Sequence, residues 1–185
     1  MIKKIVFLGG PSTGKTTLCE TLAKQLNTLT VAEYGREYWL THQVNRRLSP
    51  EQLLHIAQTQ NDWEDQASRR ANGVLLCDTN AFTTWHFALH YHGSALPELS
   101  RLASQCWARY NLVVLCGDEI PYDDTWERSG DANRHEFQQF IREYLKQQQI
   151  AYIEVQGSVA ERCCEILAHL EQRISHTQSD ETRFA

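Results

Sequence analysis

The chain has 185 residues, 42% of them hydrophobic and 22% charged, with a formal net charge of −5. That length suits one domain with a full core, and the proportions are ordinary for a soluble protein. The acidic balance argues against a general nucleic-acid binder, which would carry a basic excess. Six scattered cysteines form no Cys-x-x-Cys pair. This argues against a zinc site or redox dithiol and fits free thiols in a reducing compartment, the cytoplasm. No apolar run approaches the length of a membrane-spanning helix.

In chain order, "MIKKIVFLGG" sets basic residues before apolar ones. The apolar run is too short for a leader and ends in Gly-Gly, so it reads as a first strand. The next residues, "GGPSTGKTT", satisfy G-x-x-x-x-G-K-[ST] through Gly9, Gly14, Lys15 and Thr16. Glycines let backbone N–H groups curl around a phosphate, and the following helix N-terminus favours the negative charge. The expected cradle comprises Gly9, Gly10, Pro11, Ser12, Thr13, Gly14, Lys15, Thr16 and Thr17. Lys15 reaches the outer phosphates of ATP, and the Thr16 hydroxyl ligates Mg²⁺. Leu18, Leu22, Ala23 and Leu26 then recur at helical spacing.

A second apolar run, "TLTVAEY", predicts a strand that leaves Glu33 at its C-terminal end, where open parallel sheets bind ligands. Glu33 is placed to accept a proton from an attacking hydroxyl or to hold a sugar hydroxyl. Arg36 is placed to clamp a phosphate or pair with a carboxylate, and Tyr34 and Tyr38 to stack on a ring. An ordinary strand end, with Glu33 and Arg36 paired or solvated, is the competing reading. Residues Pro50 to Ala71 predict a helix capped by Ser49.

The run "GVLLCDT" predicts a third strand ending in Asp78, an acid that reaches Mg²⁺ directly or through water, or else caps the next helix. Beyond it Asn80 and Thr84 are close enough in sequence to share that pocket, with Trp85 and Phe87 as aromatic walls. His86 and His90 stand one helical turn apart but lack a glutamate beside the first, a weak metal motif, and read as partly buried or surface residues. A fourth strand, "LVVLCGD", opens into the polar loop "GDEIPYDDTWERSGDANR". Arg128 and Arg134 are its candidates for neutralising charge on a transferring phosphoryl group, Arg128 as the loop residue and Arg134 as part of the next helix. The strand "AYIEVQG" and a helix over Val159 to Ile174 follow, then a polar tail over 175–185 that is expected to fray. Strand and helix alternate throughout, which predicts a doubly wound α/β fold as one domain over residues 1–174.

Together these elements resemble the ribosylnicotinamide kinase domain at the C-terminus of NadR-type proteins, within the P-loop nucleoside and nucleotide kinases. The residues that carry the likeness are "GGPSTGKTT", "EYGRE" from Glu33, "DT" with "FTT" from Asp78, the loop positions Pro121, Asp124 and Arg128, and "YIEV". The resemblance implies a P-loop NTPase fold, a five-stranded parallel sheet between two helical layers. It implies ATP, Mg²⁺ and a small-molecule nucleoside acceptor, phosphorylated on its 5′-hydroxyl; for nicotinamide riboside the product is nicotinamide mononucleotide. Lys15 and Thr16 would handle the donor, Thr16 and Asp78 the metal, and Asp78 and Glu33 the acceptor hydroxyl. Arg128 would act from its loop, and Tyr34, Arg36, Asn80, Thr84 and Trp85 would line the acceptor site. No nucleic acid or membrane partner is implied. Because the sequence starts at strand one, the adenylyltransferase and DNA-binding activities of NadR-type proteins are not expected.

Two positions depart from the family pattern: Ala32 stands where a tryptophan usually precedes "EYGRE", and Asn80 where "DTD" has its second acid. An amide can hydrogen-bond a sugar hydroxyl but cannot serve as a base. These departures keep open a kinase for another nucleoside or vitamin-like alcohol. A regulatory ATPase that reads out its nucleotide to a partner is the alternative of another class.

Overall fold

The computed structural model describes residues 2–121 and 131–181. Five short strands form one sheet in the order β2-β3-β1-β4-β5, every pair parallel. They are β1 (Lys3–Leu8), β2 (Leu29–Val31), β3 (Val74–Asp78), β4 (Leu112–Cys116) and β5 (Ile153–Val155). In the central register Val6 lies between Cys77 and Val113. The chain builds one side of β1 first and then crosses to the other, so the strand order reverses beside β1. Ligand crevices of open α/β sheets lie at such a point, outside the carboxyl ends of the strands.

Strand residues alternate between two cores, as a period of two requires. Val6, Leu8, Leu75, Cys77, Val113 and Leu115 face one way. There they meet α3 (Pro50–Ser68), α4 (Ala81–His92), α5 (Pro97–Gln105) and α6 (Asp131–Gln147), through residues such as Ile56, Phe82, Leu99 and Ile141. Ile5, Phe7, Leu76, Val114 and Cys116 face the other way, against Leu18 and Leu22 of α1 (Lys15–Leu26) and Ile166 of α7 (Val159–Glu181). Both faces are covered, which is why the strands read as continuous apolar runs. The expected five-stranded, three-layer architecture is the observed one. Among the described residues no helix is long and apolar enough to cross a membrane.

Two local outcomes differ from the sequence reading. The second strand stops at Val31, and Glu33 becomes the N-cap of a separate helix, α2 (Tyr34–His42). Helix α5 and a 3₁₀ turn at Cys106–Arg109 had not been read at all, although Pro97 followed by Glu98 is a helix-start signal. Helix α3 begins as expected: Ser49 Oγ accepts from the Gln52 N–H, and Gln52 Oε1 accepts from the Ser49 N–H. At its far end α3 is bolted to the strands by a fully buried carboxylate, Glu64, which accepts from the Tyr110 hydroxyl at 2.7 Å and pairs with Arg109 and Lys4. Burial pushes this carboxyl above its ordinary range despite those partners.

Candidate active site

The phosphate loop leaves the buried end of β1 and turns into α1. Gly9 takes φ +144°, and a side chain there would sit 2.6 Å from Thr13 Oγ1 and 3.0 Å from the Cys116 carbonyl. Only glycine fits. The Thr13 hydroxyl donates to the Gly10 carbonyl at 2.9 Å. Lys15 Nζ donates to the Gly9 and Gly10 carbonyls, at 2.9 Å each. From α6 the buried Gln138 accepts the Gly10 N–H at 3.0 Å and donates to the Cys116 carbonyl at 2.8 Å, joining the loop to the end of β4. Arg134, also on α6, donates to the Ile120 carbonyl at 2.8 Å and lies against Gly10. It belongs to the helix, as the sequence suggested.

Asp78 ends β3 directly beside the loop and is buried. Its Oδ2 accepts from the Thr16 hydroxyl at 2.6 Å, while its Oδ1 is buried with no protein partner. An orphaned, anionic oxygen next to the Thr16 hydroxyl is the donor chemistry that a hard cation takes, so these two residues fit Mg²⁺. The helix N-cap is Asn80, not Asp78: Asn80 Oδ1 accepts from the Phe82 N–H at 3.2 Å. Between them Thr79 holds φ +70°, an outlier for a β-branched residue, and its buried hydroxyl has no protein partner.

One cavity of about 690 Å³ joins the two halves of the site. Its lining combines Pro11 to Thr17 of the phosphate loop with Glu33, Arg36, Asn80 and Thr84. Its apolar wall comes from Trp39 on α2, Leu53 and Ile56 on α3, and Phe87 and Tyr91 on α4. Trp85 and Tyr34 are not among the lining residues. The Trp85 ring packs with Phe82, Phe140 and Tyr144 at centroid distances of 5.7, 6.0 and 5.8 Å. The Tyr34 ring meets Trp63 edge-on at 4.7 Å, and its hydroxyl lies 3.3 Å from His55 Nε2. Gly9, Gly10 and Asp78 stand behind the lining rather than in it. His86 stacks on Phe137 at 4.0 Å, and burial, then the neighbouring His90, push its pKa down to about 4. Arg128 and Asp124 lie outside the described residues.

Three site residues carry no local sequence signal. Gln60 lines the cavity from α3; its Oε1 accepts the Tyr34 N–H at 2.9 Å and its Nε2 donates to the Ala32 carbonyl at 3.2 Å. Gln138 and Arg162 reach the phosphate loop from α6 and α7. Each is buried and lies far from the loop in sequence, so a spacing rule has nothing to find.

The loop, the acid beside it and the parallel sheet define a P-loop nucleotide-binding protein. A family model described as an AAA domain matches residues 4–162, and the chain belongs to that family. It is similar to the trifunctional NAD biosynthesis/regulator protein NadR of Escherichia coli, 30% identical over 182 residues. That match covers 93% of this chain and 44% of the relative. The Salmonella typhimurium NadR is 29% identical, with 91% and 43% covered. The chain thus spans less than half the length of these relatives. Among solved structures, NadR in complex with NR superposes with a TM-score of 0.68 at 21% identity, covering 85% of this chain and 46% of the other. NadR with NAD and AMP-PNP gives 0.71 at 20% identity, covering 92% and 49%. A deoxyadenosine kinase from M. mycoides gives 0.59 at 14% identity, covering 91% and 99%. The fold is that of the P-loop nucleoside and nucleotide kinases.

Proposed function

We propose that this protein is an ATP- and Mg²⁺-dependent kinase for the 5′-hydroxyl of a nucleoside, nicotinamide riboside first, giving nicotinamide mononucleotide. The observation that carries the reading is one cavity whose lining combines the phosphate loop with polar and aromatic side chains from α2, α3 and α4. Phosphoryl transfer needs mainly positioning and charge stabilisation. Lys15 and the loop N–H groups would hold the donor phosphates. Thr16 and Asp78 would hold Mg²⁺, which supplies charge neutralisation when bound. Glu33 takes the acceptor proton or holds a ribose hydroxyl, Arg36 and Asn80 supply polar contacts, and Trp39 and Phe87 give the base flat walls. Free cysteines support the cytoplasm as the compartment.

Acceptor identity rests on a panel assay: ATP with nicotinamide riboside, common nucleosides and vitamin-like alcohols, using wild type and Lys15→Ala. Transfer to nicotinamide riboside by wild type, reduced by roughly 100-fold or more in the folded variant, is the expected result. Transfer to another nucleoside alone would favour the second kinase reading, which Ala32 and the capping role of Asn80 keep alive. Hydrolysis indifferent to every acceptor would favour a regulatory ATPase, and normal turnover by Lys15→Ala would sink the mechanism.

A further inference from the structure

The first turn of α7 carries an arginine whose side chain is only 1% exposed, Arg162. Its guanidinium serves three separate loops. Nη1 donates to the Thr13 carbonyl at 2.8 Å, Nε to the Gly157 carbonyl at 3.0 Å, and Nη2 to Glu119 Oε1 at 2.6 Å and the Gly117 carbonyl at 3.5 Å. These loops follow β1, β4 and β5 and all lie at the carboxyl edge of the sheet. A cation so fully withdrawn from water is costly unless its donors are used. Here they are used, and one of them is spent on the phosphate loop itself.

That one bond has a consequence for the loop's polarity. A peptide unit is planar and trans, so its C=O and N–H point in opposite directions. With the Thr13 carbonyl turned onto Arg162, the Gly14 N–H of the same peptide points away from that guanidinium, in a loop stretch, Thr13 to Lys15, that lines the cavity. The opposite orientation would put a carbonyl oxygen toward the bound phosphates. Gly14, at φ +79°, accepts positive and negative φ almost equally, so by itself this peptide flips at little cost. The hydrogen bond from Arg162 holds its carbonyl in one orientation.

We propose that Arg162 is a positioning residue for the phosphate donor: it locks the Thr13–Gly14 peptide with its N–H toward the phosphates and ties that lock to the loops after β4 and β5. The proposal rests on the nucleotide-binding reading of the cavity and not on the identity of the acceptor. Arg162 is not among the residues lining the cavity; it acts through Thr13 and Gly14.

The test compares the 185-residue chain as wild type, Arg162→Lys and Arg162→Met. Lysine keeps the charge but serves fewer carbonyls; methionine fills the space and serves none. Thermal unfolding sets the folded concentration of each, and should Arg162→Met fail to fold, Arg162→Lys decides. AMP-PNP affinity is measured by calorimetry in the presence of Mg²⁺, and KM for ATP and for the nucleoside by steady-state assay. Losing the N–H toward a charged phosphate weakens binding by roughly 10- to 100-fold. We expect that loss in AMP-PNP affinity and ATP KM for methionine, a smaller loss for lysine, and a nucleoside KM within about twofold of wild type. Unchanged AMP-PNP affinity in the folded variants would overturn the proposal. So would a parallel rise of both KM values, which marks a merely structural bolt. A wild type that binds no AMP-PNP would overturn the donor reading and this proposal with it. A wild type that binds AMP-PNP but phosphorylates no acceptor would remove the acceptor reading alone, the affinities still deciding this one.

Discussion

Trp39 stands seven residues past Ala32 and Trp85 five past Asn80, and the structure separates their roles. On α4 the cavity side holds Asn80, Thr84, Phe87 and Tyr91, at successive spacings of four, three and four. That is one face of a helix. Trp85 is one residue past Thr84, so it is turned about 100° off that face and packs on Phe140 and Tyr144 instead. The phase was present in the sequence, but the helix start that sets it depends on Asn80 being the cap. Trp39 does line the cavity. Stacking of a base on an aromatic side chain is worth about 1–3 kcal/mol. Trp39→Ala should therefore raise the nucleoside KM by roughly 10- to 100-fold and leave the ATP KM alone. Trp85→Ala should cost stability, roughly 3 kcal/mol by denaturant unfolding, with no selective effect on the acceptor. A nucleoside KM equal in wild type and Trp39→Ala would remove Trp39 from the acceptor wall.

At the scale of elements, α2 is the cavity-lining piece that escaped the sequence. It has nine residues, no fully buried side chain and a glycine second in line, so neither length nor periodicity announced it. It is held against α3, where Tyr34 meets Trp63 and Tyr38 meets His55. Gly35 brings its backbone close to Ile56, where a Cβ would lie 3.2 Å from Ile56 Cγ2. Gln60 clamps both residues that flank Glu33, taking the Tyr34 N–H and giving to the Ala32 carbonyl. The position of Glu33 is thus set by a side chain from a different helix, which no local pattern could reveal. Replacing Gln60 by leucine keeps the bulk and strands two backbone groups. The expected cost is about 1–3 kcal/mol in urea unfolding, with a weaker nucleoside KM as the β2–α2 junction loosens. A variant as stable as wild type, with an unchanged nucleoside KM, would show that the clamp is idle.

For the whole molecule, the fold was legible because the three central strands, β1, β3 and β4, bury both faces and so write unbroken apolar runs. The donor half of the site was legible because the loop residues Gly9 to Thr17 are contiguous. Gln60, Gln138 and Arg162 were not, since the sheet alone brings them to one edge. The same packing sets how the molecule responds to acid. His86 is half-buried at the seam of α4 and α6, stacked on Phe137 and 4.6 Å from Phe140, with His90 the titratable neighbour on its own helix. Its folded pKa lies near 4, against an unfolded value of 6.5. The folded state thus binds this proton less readily than the unfolded chain, so the stability is complete above about pH 6.5 and is lost as pH falls toward 4. Glu64 works the other way: its raised carboxyl favours the folded state most at low pH and withdraws that contribution as pH rises through its folded value. The two can be told apart with His86→Phe, which keeps a ring against Phe137 but cannot titrate. Urea unfolding at about pH 7 and about pH 5 should show wild type losing stability at the lower value. The lowered carboxylates Asp65, Asp118 and Glu119 titrate below that window. His86→Phe should lose markedly less between the same two conditions. An equal loss in both proteins would place the acid sensitivity elsewhere than in the α4–α6 seam.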